Sequence, residues 1–358
     1  MSHATNKSWG DPSRHYASHG TVEDKQSAAE KSIEAVEKRW AHLLEAAMPG
    51  ARQQVEQAFR QWNSVLRDQV RSETALRLSV GNESQSVPVR VSDGLPRPFA
   101  ETLLTFPNYE WLILNRPDIE ATARGALLIA QNHESAAAMV REQGVVASGE
   151  GLGDTATTAR LLLAELDRLE AIKRIADCRE DVMGAYFFRV PEIRLFWVPI
   201  GIVARLLGVP IEALTVVVLT HELAHAYSHL GRDIDSESWR TSSFASADMH
   251  IVEGIAQFYT QVICEALQSR FPAARIAFEA LIKNQSGPYT AYREWVTESE
   301  RGGEVVRVAM IECRSRDIVS TEEFVDAIDR YRQQVKGRPG YARTDGSAPR
   351  SQQNSGTP

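Results

Sequence analysis

The residues best placed to do chemistry are His221-Glu222-Leu223-Ala224-His225. Helical residues turn by about 100° each, so positions four apart leave one face a turn apart, and two imidazoles at that spacing can bind one metal ion. Glu222 stands one position on, within reach of a water at the metal but outside the ligand positions. This HExxH arrangement suits zinc hydrolysis, in which zinc lowers the pKa of a water and the glutamate takes its proton. The flanks agree: Val218-Leu219-Thr220 before the motif and Ala226-Tyr227 after it carry no charge, proline or glycine. Two histidines and a glutamate in so apolar a helix are costly to bury uncompensated, and a metal accounts for all three.

A catalytic zinc takes three protein ligands and keeps one position open. The favoured third ligand is Glu253, 28 positions after His225, in the apolar segment Ile251-Val-Glu-Gly-Ile-Ala-Gln-Phe-Tyr259. Gly254 beside it removes a side chain and would let the backbone approach the active helix closely. Asp233 or Asp235, just past Gly231, is a second option. His229, a turn beyond His225, and His250 are further ones, although one helix does not easily bend a third turn onto the same ion.

Several elements must hold these groups. Ile33, Val36, Trp40 and Leu43, then Val55, Phe59, Trp62, Leu66 and Val70, recur at helical spacing, with Pro49-Gly50 as a break. Residues 27–78 therefore read as two helices, either a layer packed on the main domain or a surface for a helical partner. Tyr109–Leu114 reads as a strand, 121–142 as a helix, Ser148–Asp154 as a glycine-rich linker and 157–177 as one amphipathic helix. Residues 184–198 read as two strands around Pro191-Glu192. Pro210 opens the HExxH helix, Gly231 stops it, and a further helix covers about 247–268.

The chain has 358 residues, 43% hydrophobic and 24% charged, with a net charge of −7. That supports a sizeable core and gives no electrostatic case for nucleic acid or an anionic membrane. No apolar run is long enough for a membrane span, and the N-terminus lacks the apolar stretch of a secretory signal. Three scattered cysteines (Cys178, Cys264, Cys313) argue against a disulfide framework. A cytoplasmic setting is expected.

His221-Glu222-Leu223-Ala224-His225 followed by Glu253-Gly254-Ile255-Ala256 resembles the gluzincin zinc metallopeptidases, over roughly residues 184–265. The second motif is similar to the EGxA form of aminopeptidase-type and peptidase-MA-like members. The metzincin pattern is absent, since Ser228 and Gly231 stand where its glycine and third histidine belong. The resemblance implies that His221, His225 and Glu253 bind Zn2+, that Glu222 is the general base, and that a strand before the active helix is a sheet edge on which an extended peptide pairs. An oxyanion donor is also needed. Tyr289, Tyr292 and Arg293 follow the zinc helices, and nothing in the sequence chooses among them or against a plain surface cluster.

The expectation is an α+β protein: a zincin-like core with a small mixed or antiparallel sheet and the HExxH helix, flanked by additional helices. Residues 1–26 and 336–358 are expected to be disordered tails, 27–150 a helical region with short strands, and 151–335 the metallopeptidase domain. The expected activity is zinc-dependent hydrolysis of a peptide or protein substrate, without nucleic acid or membrane. Two rivals are a non-catalytic zincin-fold scaffold and a hydrolase of a non-peptide amide.

Overall fold

The computed structural model describes residues 23–80, 83–84, 87–142, 150–176, 182–296 and 302–336. The expected tails, 1–26 and 336–358, lie outside them except at residues 23–26 and Lys336, which are not tail but the ends of helices. The first part of the chain runs α1 (Glu23–Ala47), α2 (Ala51–Thr74), the two-residue strands β1 (Ser79–Val80) and β2 (Glu83–Ser84), β3 (Val89–Ser92), α3 (Arg97–Leu104), α4 (Glu110–Leu114), α5 (Arg116–Glu142), α6 (Glu150–Leu169) and α7 (Ala171–Ala176). Then come β4 (Gly184–Phe187), β5 (Glu192–Phe196), α8 (Trp197–Leu207), α9 (Ile211–Leu230), α10 (Thr241–Ser246) and α11 (Met249–Ala266). The last elements are α12 (Pro272–Ile282), a 3-10 turn (Gly287–Thr290), α13 (Tyr292–Trp295), α14 (Gly302–Arg316) and α15 (Thr321–Lys336).

Helix α9 is the centre of the protein. From Ala213 to His229 every residue is buried, as expected of a helix apolar on all sides. Helices α2, α11, α12 and α8 pack around it. On α2 the buried stripe Val55, Ala58, Trp62, Leu66 and Val70 recurs every three or four residues, and Trp62 Nε1 donates to Glu212 Oε1 at 2.7 Å at the start of α9. Each large apolar side chain buried this way contributes about 1.5–3 kcal/mol. The stripe of residues 27–78 thus faces the core along much of α2.

A three-stranded sheet flanks α9, in the order β3-β5-β4. The central β5 runs parallel to β3 and antiparallel to β4, with Gly184 opposite Leu195 and Tyr186 opposite Ile193. Helices with this mixed sheet make the fold α+β. Among the described residues β4 pairs on one side only, and it packs on α9. No helix among the described residues is long and apolar enough to cross a membrane.

Several local expectations need correction. Tyr109–Leu114 is not a strand. Glu110, Ile113 and Leu114 are buried while Trp111 is exposed, which is a helical face and not an alternation. The buried Glu110 carboxylate is paired with Arg39 at 3.0 Å. The Ser148–Asp154 linker is helical from Glu150 onward, and α6 lies against α5, with Arg116 3.5 Å from Asp167. The helix expected over 157–177 is interrupted at Glu170, which has φ 45°. The second strand of the 184–198 pair ends at Phe196, where α8 starts without having been foreseen. Pro210 is the N-cap of α9, one residue before its first turn, and Gly231 ends the helix in an extended conformation, φ −61°.

Candidate metal centre and its cleft

Two helices build the centre. On α9, His221 and His225 leave one face a turn apart, with Nε2 atoms 3.0 Å from each other. On α11, Asp248 caps the N-terminus by accepting from the His250 amide at 2.8 Å. The first turn then directs Glu253 at the histidines. Its Oε2 lies 3.1 Å from His221 Nε2 and 3.5 Å from His225 Nε2. All three residues are buried, and their ligand atoms lie within 4.8 Å of one another.

The donor set fits a zinc ion. Tetrahedral zinc, with bonds of about 2.0–2.1 Å, sets its ligand atoms roughly 3.3–3.4 Å apart. The three separations found, 3.0, 3.1 and 3.5 Å, bracket that value. Charge state agrees. Burial pushes the His221 pKa down, and His225 beside it adds to the effect. Burial also opposes ionisation of Glu253, but His225 and His221 outweigh it and hold the carboxyl below the usual range. Glu253 is thus held in the ionised form that coordinates a metal, and a bound cation would take the place of the imidazole protons that hold it so.

Of the alternative ligands, none joins this cluster. His229 is buried, but Nδ1 is bonded to the Tyr186 hydroxyl at 2.9 Å and Nε2 to Thr241 Oγ1 at 3.1 Å. His250 turns back to its own helix cap, with Nδ1 2.9 Å from Asp248 Oδ1. Asp233 Oδ1 accepts the amides of Asp235 and Glu237 in the loop after α9.

Glu222 is 2% exposed and lines a cleft next to His221. Strand β4 forms part of the same wall, and Gly184 is its closest approach. A Cβ at position 184 would stand 2.7 Å from Glu222 Oε1 and 2.7 Å from Val218 Cγ1, so only glycine lets strand and carboxylate meet. Gly254 is another close approach, but not to α9 as the sequence suggested. Its open side is filled by the Trp295 ring of α13.

The three downstream candidates separate. Tyr289, in the 3-10 turn, lines the cleft, its ring centroid 6.2 Å from that of His221. Tyr292 donates its hydroxyl to Gln261 Oε1 at 2.7 Å and, with Arg293, lines a different groove. Sequence reasoning passed over Gly184, Gln257 and Gln285, which also border the cleft. The spacing of Gln257, four residues after Glu253 and so on the same helix face, was a usable signal. Comparison with protein-family models, with curated proteins and with solved structures returned no match.

Proposed function

We propose that the protein is a zinc-dependent hydrolase of peptide bonds built on a zincin-like core. The observation that carries this reading is the convergence of His221, His225 and Glu253 in one buried cluster beside a cleft that Glu222 lines. Zinc held by these three residues would supply a Lewis acid and lower the pKa of water. Glu222 accepts the proton of the attacking water and returns it to the departing amine. The Tyr289 hydroxyl is the candidate donor to the developing oxyanion, because it alone of the three downstream candidates borders the cleft. The free side of β4 offers backbone N–H and C=O groups to an extended substrate. Cys264 and Cys313 are buried and unpaired, which suits a reducing compartment such as the cytoplasm.

Metal analysis combined with peptide-library cleavage tests the proposal. The wild type should hold one zinc per chain and cleave. Glu222→Gln should keep the zinc and lose cleavage, since an amide of nearly the same shape accepts no proton. Glu253→Ala should fall well below one zinc per chain. Full zinc content in Glu253→Ala, or undiminished cleavage by Glu222→Gln, would overturn the assignment. An intact zinc site that cleaves no peptide would favour a non-peptide amide as substrate.

A further inference from the structure

The cleft beside Glu222 has two kinds of lining. Ile175 of α7, Val203 and Leu207 of α8, Val217 and Val218 of α9 and Leu281 of α12 are aliphatic. Gln257, Asn284 and Gln285 contribute carboxamides to the same lining. Gln257 is 4% exposed and its Nε2 donates to Gln285 Oε1 at 3.2 Å, so the amides support one another. Apart from Glu222 and the imidazole of His221, no ionisable side chain except the Tyr289 phenol borders the cleft among the described residues.

Size narrows the ligand further. The cavity volume is ≈ 70 Å³. A water needs roughly 10–15 Å³ by this measure, so the space holds on the order of five waters. That is the bulk of one large side chain, too little for a folded segment. A charged tip there would lose its hydration, and the carboxylate on the lining, Glu222, is committed to the attacking water, whereas an apolar tip gains by leaving water.

We infer that this cleft is a specificity pocket for a single large uncharged side chain next to the scissile bond, with the Gln257–Gln285 pair and Asn284 bonding the neutral groups that flank it. Substrates are then peptides carrying a bulky aliphatic or aromatic residue at that position, and lysine, arginine or acidic residues are rejected. The inference rests on the proposed zinc-hydrolase reading. It adds that Val203 of α8, on the aliphatic lining, sets the size limit, and that half-buried Gln285 sets the charge preference.

The test uses the zinc-loaded full chain and three small hydroxamates, with binding measured by calorimetry. Acetohydroxamate has no side chain, a second probe carries an isobutyl group and a third a butylammonium group. The wild type should bind the isobutyl probe roughly tenfold or more tighter than the other two. Val203→Phe should remove the isobutyl advantage over acetohydroxamate at full zinc content. Gln285→Glu, a nearly isosteric change at a half-buried position, should raise the butylammonium affinity relative to isobutyl by about tenfold. An isobutyl probe bound no better than acetohydroxamate by the wild type, or a Gln285→Glu chain with unaltered preference, overturns the inference and leaves the hydrolase reading standing. A chain that holds zinc but binds no hydroxamate overturns both.

Discussion

Replacing Gly184 by alanine should disable the site without emptying it. The new Cβ would meet Glu222 Oε1 and Val218 Cγ1, each at 2.7 Å, where ordinary contact begins near 3.4 Å. About 0.7 Å must therefore be relieved at each of these points, and about 0.5 Å at Glu222 Cγ, which the Cβ would meet at 2.9 Å. Val218 is 5% exposed on a helix packed on every side, so it has little room to yield. The end of the Glu222 side chain has more freedom, and the shift falls on the carboxylate. Overpacking of this kind costs about 1–3 kcal/mol of stability. A displacement near 1 Å in a reacting group costs on the order of 10²-fold in rate. Urea denaturation, zinc content and kcat on a peptide that the wild type cleaves would be measured together. The expected result is a modest loss of stability, full zinc and a kcat lower by about two orders of magnitude. Adding Val218→Ala removes one of the three contacts and should recover part of the stability and part of kcat. A Gly184→Ala protein as stable and active as wild type would refute the reasoning. So would one that loses zinc in step with activity, since no clash involves a ligand.

Two further outcomes follow from the geometry. His229 has its pKa pushed down to about 4, first by burial and then by Arg314. The unfolded chain binds this proton near pH 6.5 and the folded chain does not. Stability is therefore fully present above pH 6.5 and is lost as pH falls towards 4, by about 3 kcal/mol in all. Urea titrations across that window should show a shallower loss for His229→Gln, and an identical slope would count against a buried neutral histidine. Tyr289→Phe should keep zinc and KM and lower kcat by on the order of 10²-fold. If Tyr292→Phe has that effect and Tyr289→Phe does not, the oxyanion donor has been misassigned.

What the sequence made legible followed from local periodicity. The HExxH residues share a face because helical geometry requires it, and the apolar residues around them already marked α9 as a core helix. Glu253 was recognisable because a carboxylate has no place in so apolar a segment unless something binds it. The missing information was tertiary. Gly254 is small because Trp295, 41 positions further on, occupies the space beside it, and no periodicity carries that. The strand β3 was missed because only four residues, half-buried and paired with a segment about a hundred positions away, define it. Tyr109–Leu114 misled because its strand-forming residues sit on a helix whose buried face includes a glutamate, a choice explained only by Arg39.

The same helix provides the packing centre and carries His221, Glu222 and His225 of the candidate site, and this constrains how the site tolerates change. His221, Glu222 and His225 are held by a backbone that α2, α8, α11 and α12 enclose. The rotamers of the two histidines are thus fixed by the core, and no loop has to order them before a metal binds. That rigidity lowers the entropic cost of assembling the ligand set. It also couples distant packing to the site. Trp62 and Leu66 are buried on α2, which packs along the helix that carries two of the three candidate ligands. A cavity at either position lets α9 settle, and a shift of a few tenths of an ångström is significant for ligand atoms that stand 3.0–3.5 Å apart. The third candidate ligand arrives from α11, which packs on α9 and, at Gly254, on the Trp295 ring of α13. Holding the three ligand atoms together is therefore a property of the whole helical core.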